Sequence, residues 1–297
     1  MANEKLMKGN IEEFAVQMKG LVNNKDQSDI KFLIGPNRKP VYAHRCILAN
    51  RCAVFRAMFH DQAQRSGIVD KEVPFVLSDM TPDIFLAMIE FIYTNCVTLT
   101  PKLAIDALCT GLEYGLEELR KLAGDYLIEN LAVHNACECL QASIVYNQKE
   151  LNAACLQFID DHTEDVFKSK GFAELSEESL VPILKSDGLT MDEGKILKYI
   201  RDWSQVNAVV LKKPYIEVGK RAVQQIRITL FTPEEIEKIE LENRKEPFVP
   251  IECFSVAWKF HATKKGDPEN YIMRVRKGTD SREHHAYLLS DSNQPTA

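Results

Sequence analysis

Much is missing from this sequence, and each absence narrows what the chain can be. No stretch approaches the roughly 20 apolar residues of a membrane-spanning helix. The opening MANEKLMKGN has no apolar core for a secretory signal. No Asn-x-Ser/Thr glycosylation acceptor occurs. The eight cysteines contain no Cys-x-x-Cys, and the closest pair, Cys137 and Cys139, points in different directions on a predicted helix. Most cysteines lie in apolar runs, where the thiol behaves as a small hydrophobe. Reduced thiols, no metal centre and no cofactor are therefore expected, with a cytoplasmic location and the nucleus also open to the chain. Positive charge is in deficit: 37 Lys and Arg stand against 43 Asp and Glu, a net charge of −6. No basic stripe of the kind that binds nucleic acid runs through the chain. Its one basic cluster, Arg274, Arg276, Lys277 and Arg282, lies near the end.

Catalytic signatures are also lacking. Neither G-x-S-x-G nor G-x-G-x-x-G is present. Gly188 to Lys195 is spaced like a phosphate loop but is one residue too long, and Ile196 stands where Ser or Thr should hold magnesium. Glu283-His284-His285 places its histidines side by side, not four apart on one helix face, and reads as a polar tail segment. A nucleophile pair at His44 and Cys46 would need spatial proximity and an orienting third group, and nothing in the sequence demands either. No catalytic residue is predicted, and the chain is expected not to be an enzyme.

What is present is two ordinary cores. Over 297 residues, 45 % are hydrophobic and 27 % charged, which suits two domains that need no staples. Residues 10–22 read as an amphipathic helix, with Ile11, Phe14, Met18 and Leu21 at helical spacing. Ile30, Phe32 and Ile34 alternate along a strand, Gly35-Pro36-Asn37 signals a turn, and Val41 and Ala43 continue a second strand of a hairpin. A single helix is predicted over 46–59, then a polar loop over 60–72 and a short strand at 73–77. Thr81-Pro82 and Thr100-Pro101 are start signals, since Thr caps and Pro suits the first helical position. Beyond about residue 115 strand signals vanish and helices follow one another. Thr190 with Glu193 and Thr232 with Glu235 have capping-box spacing. From Lys264 the chain turns polar, though Tyr271, Ile272, Met273, Tyr287 and Leu288 suggest that part of this tail packs.

Three segments resemble the BTB (POZ) fold in order and spacing: SDIKFLIG at 28–35, YAHRCILANRCAVFRAMF at 42–59 and FLAMIEFIYTNCVTL at 85–99. Four more resemble the BACK domain: LNAACLQFI at 151–159, FAELSEESLVPILKSDGLTMDE at 172–193, IRITLFTPEEI at 226–236 and FVPIECFSVAWKFHA at 248–262. No Kelch repeats follow. The resemblance implies an α+β architecture. A BTB domain, a small sheet covered by helices, would span 1–125, an all-α BACK domain 126–262, and a partly packed polar tail 263–297.

It also implies a non-enzymatic, homodimeric interaction scaffold. The helix at 10–22 would form much of the dimer interface through Ile11, Phe14, Met18 and Leu21. Asp29 and Arg45 match the family's charged pair at that interface. Many relatives are substrate adaptors for ubiquitin ligases built on cullin three, docked through the BTB face with support from a hydrophobic-x-Glu element that ends the third helix. Here that element reads Ala63-Gln64-Arg65, so the acid is replaced by a cation. Ile68 and Asp70 could supply a displaced version, with Met58, Phe59 and Tyr93 as apolar docking surface. The alternative is a cullin-independent scaffold or a transcription-linked interaction module. In either case a further protein partner is expected, with Arg274, Arg276 and Lys277 of the tail as a candidate surface for an acidic segment. Neither membrane nor nucleic acid is expected as a partner.

Overall fold

The computed structural model describes residues 5–66, 73–267 and 269–288. The chain divides into two compact units, Met1–Asn130 and Leu131–Ala297.

In the first unit, helix α1 (Ile11–Lys19) starts where the Asn10 side chain accepts from the backbone of Glu12 and Glu13. That satisfies two of the donors a helix start leaves free. Strands β1 (Ile30–Ile34) and β2 (Lys39–Ala43) pair antiparallel, with Phe32 opposite Val41. Gly35, at φ +72°, makes the turn between them. Strand β3 (Phe75–Leu77) adds in parallel to β1, giving the order β2-β1-β3.

The stretch predicted as one helix over 46–59 is two: α2 (Arg45–Arg51) and α3 (Ala53–Ser66). Cys52 between them is extended at φ −136°, ψ 119°. The break is stabilised by Arg56, which donates to the carbonyls of Ala49 and Asn50 and so occupies acceptors that continued helix would use. Helix α3 also runs through the first part of the segment expected to be loop.

Helix α4 (Pro82–Thr94) is the centre of the unit, with nine of its residues buried. A helix apolar on nearly all sides must be surrounded by protein. Thr81 precedes it without a capping bond, whereas Thr100 does cap α5 (Pro101–Glu113). Helix α6 (Glu117–Glu129) lies so close to α5 that a Cβ on Gly111 would reach the Arg120 backbone at 2.9 Å. Phe32, Phe55 and Phe85 form the core, their centroids 5.0–6.4 Å apart. Offset and edge-on rings at such distances gain beyond area burial.

The second unit is helical. It comprises α7 (Ala136–Val145), α8 (Lys149–Asp161), α9 (Thr163–Lys168), α10 (Lys170–Ala173), α11 (Glu177–Lys185), α12 (Glu193–Leu211), α13 (Tyr215–Val218), α14 (Lys220–Val223), α15 (Pro233–Lys245) and α16 (Ile251–Thr263). Trp203 is buried on α12 and donates to the Leu175 carbonyl at 2.9 Å. The capping box at Thr232 and Glu235 forms in both directions. The one expected at Thr190 does not: Asp192 caps α12, and Thr190 is tied instead to the Asp160 carbonyl and the Thr163 hydroxyl. Glu193 cannot reach back to a cap because its carboxylate points into the core.

After α16 the chain continues past Lys264, in the left-handed region at φ 53°, and residues 269–288 fold back on the same unit. This strap contains only short 3-10 turns, at Tyr271–Met273 and Glu283–Tyr287. Its Leu288 closes a cluster with Leu230 and Phe260, against which Met273 packs. Among the described residues, no helix is long and apolar enough to cross a membrane.

Candidate interaction surfaces

Helix α1 packs on α4, and Lys19 reaches Glu90 at 2.7 Å. The apolar stripe predicted for it divides. Met18 and Leu21 are half-buried, whereas Ile11 is 67 % and Phe14 58 % exposed. Leu6 and Met7, just ahead of the helix, are 84 % and 76 % exposed. Scattered apolar residues on a surface are ordinary, but here four large ones are exposed within one short stretch at a helix start.

Asp29 and Arg45 meet, though not as a side-chain ion pair. The Asp29 carboxylate accepts from the Arg45 backbone N–H at 2.7 Å and so holds the first turn of α2. The Arg45 guanidinium donates to Gln62 Oε1 at 2.7 Å and stacks over Phe59 with 4.9 Å to the ring centroid. Burial lowers its pKa and Asp29 partly offsets that. Among the described residues its Nε is buried with no hydrogen-bond partner.

The apolar docking surface proposed on α3 and α4 is mostly internal. Phe59 is buried beneath Arg45 and packs against Phe55 and Phe75. Tyr93 is buried too: its hydroxyl accepts from the His44 backbone at 2.8 Å and lies 2.9 Å from His44 Nδ1. Burial, the largest cause, pushes the Tyr93 pKa up. Both residues are core, because aromatic area on elements that cover the sheet is better hidden than hydrated. Met58 alone of the three is half-exposed. Ile68 and Asp70 lie outside the described residues.

The basic tail cluster is largely consumed inside its own unit. Arg276 has a fully buried side chain paired with the equally buried Glu193, and it donates further to the carbonyls of Ser186 and Gln225. It is therefore not presented to a partner. Arg274 pairs with Asp187 at 3.3 Å, and Lys277 comes within 3.9 Å of Asp161. Sequence reading missed the charged groups packed around them. Arg227, also fully buried, bonds Asp187, the carbonyls of Lys185, Ser186 and Arg274, and through its backbone N–H the Glu193 carboxylate. Arg282 is held between Asp192 and Glu235. One signal was available: Glu193 follows a cap residue yet begins an apolar stripe.

Comparison with known proteins places this geometry in a family. The BTB/POZ domain matches residues 18–131 and the BACK domain (BTB And C-terminal Kelch) residues 136–240. The chain is 38 % identical to human BTB/POZ domain-containing protein 19 over 281 residues, 94 % of this chain and 95 % of that protein. Against the Bos taurus protein of the same name the identity is 37 % over the same shares. Human BTB/POZ domain-containing protein 9 is 29 % identical over 73 % of this chain and 34 % of that protein. Proteins built from these two domains are interaction scaffolds, and BTB domains generally mediate self-association and partner binding. With a three-stranded sheet wrapped by helices ahead of a helical unit, and both domain patterns matched in that order, the chain belongs to the BTB/POZ family as a BTB-BACK protein.

Proposed function

We propose that this protein is a homodimeric scaffold, joined through the N-terminal face of its BTB domain, that presents two BACK domains to protein partners. The observation that carries this reading is the exposed apolar stretch with Leu6, Met7, Ile11 and Phe14. At their present exposure, burying these four side chains is worth about 4–8 kcal/mol per protomer. Two copies would meet in a two-fold interface, so the gain counts twice and is comparable with the roughly 4–15 kcal/mol cost of association. The test is light scattering on the full chain and on Ile11→Asp/Phe14→Asp. The variant should keep its helical signal and halve its mass; an unchanged mass would move the interface elsewhere.

Of the two partner classes, we favour cullin-independent scaffolding. Arg65 stands where the family's docking acid belongs, and a charge reversal at a docking point can cost several kcal/mol through like-charge contact. The burial of Phe59 and Tyr93 removes much of the apolar support. Calorimetric titration with the N-terminal domain of cullin three should show no saturable heat. Sub-micromolar binding would establish the adaptor reading instead.

A further inference from the structure

The strap is bound the way a peptide ligand is bound. It contributes no α-helix and no strand, and an exposed linker around Lys264 and Lys265 leads into it. Its hold comes from side chains that are individually recognised. Arg282 makes two bonds to Glu235, at 2.9 and 3.0 Å, and two to Asp192, at 3.0 and 3.3 Å. Planar guanidinium against paired carboxylate oxygens is specific for arginine over lysine. Arg276 enters a fully enclosed slot between Glu193 and the carbonyls of Ser186 and Gln225.

Between these two anchors the strap backbone is read as well. The N–H groups of Lys277 and Gly278 donate to the carbonyls of Asp187 and Leu189, both at 2.9 Å. Asp280 N–H donates to Asp192 at 3.1 Å. At Gly278 a Cβ would collide with the backbone of Thr190 and Met191, so the groove admits no side chain there. Charge complements charge: Asp187, Asp192, Glu193 and Glu235 line the groove, and the strap brings Arg274, Arg276 and Arg282. Buried ion pairs of this kind contribute selectivity more reliably than stability, and oppositely charged surfaces steer a segment into register.

We propose that this groove on the BACK domain is a peptide-binding site for Arg-x-Gly-x-x-x-Arg segments, occupied in cis by the chain's own residues 276–282. The strap then acts as a tethered competitor. A partner segment of the same pattern gains the site only when the strap leaves it. This proposal is independent of whether the BTB domain dimerises.

The test uses the full chain with Gly278→Val, which excludes the strap while leaving every groove residue intact. The probe is a fluorescein-labelled peptide of residues 269–288, followed by anisotropy. The variant should bind it saturably and at least tenfold tighter than the unsubstituted chain, whose site is filled. Arg276→Ala in the peptide should weaken binding at least tenfold. Absence of binding by a folded variant, equal binding by the unsubstituted chain, or indifference to Arg276→Ala would each overturn the proposal. If Gly278→Val does not fold, the chain with Arg282→Ala takes its place. Failure of both to fold would show the strap to be inseparable from the core and would also overturn it.

Discussion

Replacing Glu193 by alanine should destabilise the BACK unit more than any exposed substitution could. The carboxylate is fully buried and accepts from the Arg276 guanidinium and from the Arg227 backbone N–H. Removing one member of a buried pair costs about 3–5 kcal/mol, because the remaining charge stays desolvated and unpaired. The stranded Arg227 N–H is part of the same loss and is not added to it. Native domains hold only about 5–15 kcal/mol in total. With a urea slope near ~2 kcal/mol/M, the midpoint should fall by ~1.5–2.5 M. The assay is convenient because both tryptophans, Trp203 and Trp258, belong to the second unit, so their fluorescence follows it alone. The double replacement Glu193→Met/Arg276→Met removes both charges and should recover most of the loss. A single-variant shift under ~0.5 M, or a double variant no better than the single, would refute the reasoning.

Other expectations follow from the same structure. Thr232→Ala breaks a capping box closed in both directions and should cost about 1 kcal/mol by the same fluorescence assay. Burial, with His285 and His261 adding to it, pushes the His284 pKa down to about 4 from its ordinary 6.5. The folded state therefore takes up a proton less readily than the unfolded chain. The stabilisation is complete above pH 6.5 and is lost as pH falls toward 4. Urea midpoints between pH 7 and 5 should decline less in His284→Asn than in the unsubstituted protein. That range avoids Asp192 and Glu235, whose pKa values are held below the ordinary carboxylate range by Arg282 and backbone donors against their burial, and whose contribution is lost only in more acid solution. Alkylation at pH 8 followed by peptide mapping should label Cys46 and Cys96, which are exposed. It should spare Cys137 and Cys139, whose thiols burial pushes up to about 12 and about 11.

The elements that were legible in the sequence are those whose periodicity is local. Ile30, Phe32 and Ile34 alternate because one face of β1 is core, and Phe85, Met88, Ile89 and Ile92 repeat because α4 is surrounded. The break at Cys52 was not legible, since it depends on Arg56 folding back onto two carbonyls. Thr190 and Glu193 had the spacing of a cap. The carboxylate instead went to an arginine more than eighty residues away, a contact that no local pattern records. The same limit applied to the sites. Phe59 and Tyr93 carry the composition of a docking surface, but their burial is decided by the helix packing of the whole unit. Arg276 reads as a solvated charge until Glu193 is placed opposite it. For α1 the stripe was legible, but which half of it would remain uncovered followed only from its packing on α4.

The measurement that bears most directly on the account is sedimentation equilibrium of the full chain across micromolar concentrations. A homodimeric scaffold predicts a mass twice the 33.8 kDa of a single chain. A mass of one chain throughout that range would contradict it and leave the exposed Leu6, Met7, Ile11 and Phe14 without their proposed partner.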